Sequence, residues 1–143
     1  LRGATGPIVT VAGGSGLAPV RAILEQAVAE KTKRKLVCLF GARTQADLYE
    51  LDALAELGRS ASGPFVLVPV LSNEPEGSSW NGERGFVTSK LGAHVTPDAQ
   101  IYMCGPPPMI DAGVAELEKL GVGHERIFHD KFLDESHLAK KSV

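Results

Sequence analysis

Two stretches of the chain carry residue types and spacings that could do chemistry. In the first, Ile8 to Leu24, an apolar run rich in β-branched residues meets Gly13-Gly14-Ser15-Gly16, then Pro19, and then Val20, Ile23 and Leu24 at helical spacing. That order reads as strand, tight glycine turn and helix. Glycines let a ligand come close to the backbone, and the first turn of a helix offers unpaired N–H groups and the positive end of its dipole. The group that such a turn favours is an anion such as a pyrophosphate. Pro19 suits the first helical turn, where its missing N–H costs nothing. A plain strand-to-helix corner can use the same residues, so the turn alone does not decide. The second stretch is an apolar strand, Gln100 to Cys104, ended by Gly105-Pro106-Pro107-Pro108.

Two better-known motifs do not fit the first turn. Gly14 and Gly16 have the spacing of the G-x-G-x-x-G dinucleotide fingerprint, but Pro19 occupies its third position. That fingerprint also needs an acid about 20 residues on, at the end of the second strand, to hold a ribose hydroxyl. Here that strand ends Phe40-Gly41-Ala42-Arg43, without a carboxylate. The nucleophile elbow G-x-S-x-G fails because Leu17 stands where its last glycine belongs.

Composition narrows the field. With 143 residues, 43% hydrophobic and 22% charged, and a net charge of −2, the chain reads as one soluble domain able to bury a core. No basic run exceeds Lys33-Arg34-Lys35, which argues against a nucleic-acid surface. No apolar segment reaches the ~18–20 residues of a membrane span, and no signal peptide is legible, so a cytoplasmic location is expected. His94, His124, His129 and His137 are scattered, and Cys38 and Cys104 lack metal-ligand spacing, so no metal site is expected.

The elements that must position these residues alternate along the chain. Strands are expected at 7–12, 35–40, 65–71, 100–104 and 126–129, and helices near 18–31, 45–57 and 109–120, the last closed by Gly121. Thr44 is a candidate cap for the second helix, and Gly85 to Leu91 suits a short helix. Ser72 to Arg84 is a long polar loop around the single Trp80. Pro69 places the third strand at a sheet edge. The pattern gives an α/β fold, a five-stranded parallel sheet of order 3-2-1-4-5 with helices on both faces. Ligands of such sheets bind where the winding reverses, at the carboxyl ends of the first and fourth strands. Both glycine motifs fall there. Cys38 and Cys104 are then about two strand spacings apart, ~9.6 Å, too far for a disulfide.

These residues together resemble the nicotinamide-nucleotide domain of the ferredoxin–NADP reductase family. The resemblance rests on Ala12-Gly13-Gly14-Ser15-Gly16-Leu17-Ala18-Pro19, Phe40-Gly41-Ala42-Arg43-Thr44, Trp80-Asn81-Gly82 with Gly85-Phe86-Val87-Thr88, and Tyr102-Met103-Cys104-Gly105-Pro106-Pro107-Pro108-Met109. Within the family the chain is most similar to the reductase components of bacterial aromatic-ring dioxygenases and multicomponent monooxygenases. The resemblance implies that residues 7–132 bind NAD(P)H, that residues 1–6 are the exit from an FAD-binding barrel outside this chain, and that 133–143 are a tail. It further implies hydride transfer to that flavin, an iron–sulfur [2Fe–2S] centre elsewhere, and a ferredoxin or oxygenase component as partner. A flavohaemoglobin, a free-flavin reductase or a non-catalytic nucleotide-binding domain are the alternatives.

The same resemblance implies roles for individual residues. The pyrophosphate would lie on Gly14, Ser15 and Gly16, with Leu17 and Pro19 behind it. Gly41, Ala42 and Arg43, then Ser72, Asn73 and Glu74, would line the nucleotide beyond the second and third strands. Phe86, Gly105, Pro106 and Met109 would complete the cofactor site. Cys104 matches the cysteine beside the reacting nicotinamide; without the motif that follows, it would read as a small buried hydrophobe. Asp130 and Phe132 match the family's C-terminal acidic-x-aromatic signature. The acid here is Asp rather than the more usual Glu, and eleven residues follow Phe132. NADH is expected over NADPH, because the loop Ser72-Asn73-Glu74 lacks the arginine that grips a 2′-phosphate and offers a like charge instead. Arg43 and Arg84 are the residues that could argue the other way.

Overall fold

The strand Ile8–Gly13, β1, is buried at all 6 positions, as a strand can be only when both sheet faces are covered. In the computed structural model, residues 6–13, 17–45, 51–75, 77–80 and 82–131 are described. The remaining elements are α1 (Leu17–Ala29), β2 (Leu36–Ala42), α2 (Leu51–Arg59), β3 (Phe65–Leu71), β4 (Glu83–Arg84), a 3-10 helix (Val87–Ala93), β5 (Gln100–Gly105), α3 (Pro107–Lys119), a single 3-10 turn (His124–Arg126) and β6 (Ile127–Lys131). The expected stretch from Gln45 to the start of α2 falls largely on residues 46–50, outside the described residues. So do residues 1–5 and 132–143.

The sheet is parallel throughout and ordered β4-β3-β2-β1-β5-β6. The expected five strands are present in the expected order, and β4 is an addition. It is a two-residue strand at the end of the polar loop, paired as Val70↔Glu83 and Leu71↔Arg84. Two residues carry no periodicity, so sequence pattern could not show it. The edge position expected for β3 is corrected only at those two residues: Phe65 to Pro69 remain half-buried, with β4 beginning one residue after the proline. Pro69, which has no N–H to donate, is tolerated there.

Alternation sends the side chains of β1 into two layers. Val9 and Val11 join Val37, Leu39, Ile101 and Met103 under α3 and the 3-10 helix. Ile8 and Ala12 join Cys38, Phe40 and Cys104 under α1 and α2. Each fully buried Leu, Val or Ile contributes about 1.5–3 kcal/mol relative to exposure. Thr10 is buried in the second layer and its hydroxyl donates to the Val37 carbonyl at 3.1 Å. Burial pushes the neighbouring Cys38 thiol up to about 11, so it is neutral at physiological pH. Cys38 and Cys104 form no disulfide; they pair with Thr10 and Ala12 on opposite sides of β1. Gly121, at φ +83°, turns the chain after α3 as expected, donating to Glu118 while Val122 donates to Leu117. Among the described residues no helix is long and apolar enough to cross a membrane.

Arg34 ties the amino ends of the strands together. Its Nε donates to the Gly6 carbonyl at 2.6 Å and its Nη1 to Gln100 Oε1 at 2.5 Å, and partial burial pulls its pKa below the usual value. Arg34→Met removes the donors and leaves those acceptors without them, which is expected to lower unfolding stability by about 1–3 kcal/mol. Urea denaturation of the variant and parent measures this; coincident midpoints would show that the tie contributes nothing.

Candidate functional site

Three neighbouring strands carry a glycine at or next to their carboxyl ends. Gly13 and Gly41 are paired across β1 and β2, and Gly105 closes β5. A Cβ on Gly13 would overlap the Met109 sulfur, and one on Gly105 would lie 2.5 Å from Met109 Cε and 2.9 Å from its sulfur. A Cβ on Gly41 would lie 2.9 Å from Val87. The glycines therefore let side chains of α3 and the 3-10 helix lie flat on the strand ends. This packing role is separate from the ligand approach expected of Gly41 and Gly105.

The two helices that begin at this crest differ chemically. α1 has no acidic residue in its first turn, so the positive end of its dipole is not offset locally. Leu17 is fully buried, so its side chain belongs to the core and only its backbone can face a ligand. Pro19 lies in that first turn and is exposed, while Gly14, Ser15 and Gly16 lie outside the described residues. α3, by contrast, opens with Pro107 and Pro108 behind Pro106, and the Pro106 carbonyl accepts from Met109 and Ile110. Prolines have no N–H, so this end is apolar rather than anion-binding.

An apolar recess lies on each side of the crest. The one beside α3 has a volume of about 460 Å³ and is lined by Phe86, Val87, Thr88, Pro106, Pro108, Met109 and Ala112. Phe86 is 74% exposed and stands at the edge of this recess. The recess beside α1, about 220 Å³, runs from Pro19, Val20 and Ile23 to Cys104 and Phe128. Cys104 lies at its floor, 4% exposed. Tyr102 and Phe128 stack there with centroids 5.1 Å apart at 16°. Neither ring was singled out as a site residue from sequence. Their pairing depends on the β5–β6 register, Tyr102↔Phe128, which no local pattern shows. Asp130 pairs with Cys104 in that register, but its side chain and the whole of Phe132 lie outside what the structure describes.

Beyond β2 and β3 the loops are held to each other. Ser72 and Asn73 donate backbone N–H groups to the Ala42 and Arg43 carbonyls at 3.0 and 2.7 Å. Glu74 accepts from the Gln45 backbone at 2.9 Å and from Gln45 Nε2 at 2.7 Å, and these bonds hold its carboxyl below the usual range. Glu74 is thus a loop tie, with lone pairs still open to a ligand hydroxyl. Arg84 wraps the same loop: Nη1 donates to the Glu74 carbonyl at 2.8 Å and Nη2 to the Trp80 carbonyl at 3.1 Å. The sequence left Arg84 able to reach an adenosine phosphate; the structure directs it into its own loop. Arg43 is exposed. Among the described residues no group of acids, histidines or cysteines could hold a metal ion.

The family model for the oxidoreductase NAD-binding domain matches residues 10–114. The chain belongs to this family. It is 45% identical over 126 residues to the xylene/toluene monooxygenase electron transfer component XylA of Pseudomonas putida, covering 87% of this chain and 36% of that protein. It is 35% identical over 131 residues to the propane 2-monooxygenase reductase component of Mycolicibacterium smegmatis, with 88% and 37% covered. The crystal structure of the cytochrome P450 reductase GcoB of Amycolatopsis superposes with a TM-score of 0.79 at 36% identity, covering 89% of this chain and 38% of that one. The chain therefore spans little more than a third of the curated relatives it matches, and what it holds is an oxidoreductase NAD-binding domain.

The Glu74 tie gives this NAD-binding domain a pH dependence of known sign. Its folded pKa is depressed by Gln45, so the tie is fully present above the ordinary carboxylate value near ~4.3 and is lost as pH falls through the lower folded value. Trp80, whose indole donates to the Glu83 carbonyl in the same loop, reports the change. Its fluorescence is expected to stay constant from neutral pH to the ordinary carboxylate range and to shift only below it, and Glu74→Gln should abolish that acid step. An identical acid transition in the variant would assign the step to another group.

Proposed function

We propose that this NAD-binding domain holds NADH for a flavin-dependent reductase, with the diphosphate at the α1 end of the crest and one ring in each recess. The observation that carries this reading is the arrangement itself: an uncompensated helix start between two apolar recesses. A dinucleotide has the matching shape, two flat rings joined by an anion. The adenine would lie against Phe86 and Met109, and the nicotinamide beside Cys104. When both nucleotides are bound, the chemistry is hydride transfer from NADH to FAD, followed by single-electron transfer through an iron–sulfur centre. The FAD barrel would join through residues 1–6 and the tail would follow Phe132. The partner would be a ferredoxin or oxygenase component, in keeping with relatives named as monooxygenase reductase components. A cytoplasmic location accompanies this reading.

The chain's own residues have four roles in this scheme. The glycine turn and α1 bind the diphosphate without a charged side chain. Cys104, small and polarizable, lets a ring lie against the strand end. Asp130, beside Cys104 in register, and Phe132 would serve there as the acidic and aromatic residues of the family's C-terminal signature. Glu74 and the inward-turned Arg84 favour the free ribose hydroxyls of NADH over a 2′-phosphate.

Energy transfer from Trp80 to the reduced nicotinamide measures binding directly. NADH is expected to bind at least about tenfold more tightly than NADPH at equal ionic strength, and Gly16→Val to weaken NADH by a similar factor, about 1.4 kcal/mol. Equal or tighter binding of NADPH would reverse the nucleotide assignment and direct attention to Arg43. In the intact reductase Cys104→Ala is expected to slow flavin reduction more than it weakens NADH binding, the mark of an interaction used mainly in the transition state. A stopped-flow rate equal to the parent's would make Cys104 a core residue only.

A further inference from the structure

We infer that Met109 is a modification site: a hydroperoxide oxidises its thioether when the cleft is open, bound dinucleotide shields it, and the sulfoxide form binds dinucleotide poorly. The shielding rests on the reading of the α3-side recess as part of the nucleotide site; the selectivity of oxidation does not. The sequence holds two methionines. Met103 is 2% exposed and lies in the core, where a Cβ on Gly113 would meet its sulfur at 2.5 Å. Met109 is only partly buried and lines the recess of about 460 Å³. Oxidation of methionine follows access, so Met109, the more exposed of the two residues, is expected to react first.

The seat of Met109 explains why the oxidised side chain could not stay in place. The thioether rests where Gly13 and Gly105 lack Cβ atoms, a contact between apolar surfaces. In the reaction a sulfur lone pair attacks a peroxide oxygen. The S–O bond forms as the O–O bond breaks, methionine loses two electrons, and the departing oxygen takes a proton to leave as water or alcohol. The new oxygen is a strong acceptor and needs a donor. Among the described residues beside it, Pro106, Pro107 and Pro108 carry no N–H, and the Gly13 carbonyl oxygen is only 3.5 Å from the Cβ position of Gly105. A buried acceptor without a donor is unfavourable, so the sulfoxide turns outward into the recess. There it takes up the space of a flat ring and makes an apolar lining polar.

The test treats the chain with hydrogen peroxide, with and without NAD⁺, and follows oxygen addition at each methionine by peptide mass spectrometry. Oxidation of Met109 is expected to be on the order of tenfold faster than that of Met103 and to be slowed by NAD⁺. Calorimetry should then show weaker NAD⁺ binding by the oxidised protein. In Met109→Leu, whatever its starting affinity, peroxide should leave that affinity unchanged. Equal oxidation of both methionines, NAD⁺ binding without protection, or unaltered affinity after oxidation of Met109 would each overturn the proposal alone. Failure of the untreated chain to bind NAD⁺ would overturn the nucleotide reading, and the shielding with it.

Discussion

Two α-carbons without side chains, Gly13 and Gly105, leave the space in which the Met109 side chain of α3 lies on the strand ends. The Met109 thioether fills the space that their Cβ atoms would occupy. A larger residue at either position would push the Met109 thioether off the strand ends, a shift that its flexible side chain can make. Gly41 does the same for Val87 on the 3-10 helix. The crest is therefore flat because it is packed, and the flatness needed by helices is the same flatness needed by a ligand lying across the strands.

On that crest the two helix starts divide the chemistry. α1 begins without an acid in its first turn, so the positive end of its dipole is not offset there. α3 begins in prolines, which remove the corresponding donors and leave an apolar wall. A ligand with a charged middle and flat apolar ends suits this surface, and a uniformly polar one does not. Membership of the oxidoreductase NAD-binding family fits the same surface.

In the loop from Ser72 to Arg84, Glu74 and Arg84 are both held by hydrogen bonds. Glu74 binds Gln45 with both oxygens, and Arg84 donates to carbonyls on either side of the turn. These bonds tie the described parts of a long polar segment to one another and to Gln45, and β4 pairs with the end of β3. An arginine so engaged is a poor partner for a distant phosphate, because leaving the loop would free several carbonyls at once.

The sequence by itself determined the alternation of strands and helices, the parallel sheet order and the position of the switch point. Those features depend on periodicity and on glycine and proline at element ends, which act over a few residues. It also made Cys104 and the glycine turn visible as a motif. It could not show that Gly13 and Gly105 share one methionine, that Tyr102 stacks on Phe128, or that Arg84 turns inward. Those contacts join residues distant along the chain, and they exist only once register and crossover have brought β1, β5 and β6 side by side. Leu17 shows the limit most directly: its place in the motif reads as ligand-binding, but the turn of α1 points its side chain into the core and leaves only the backbone for a ligand.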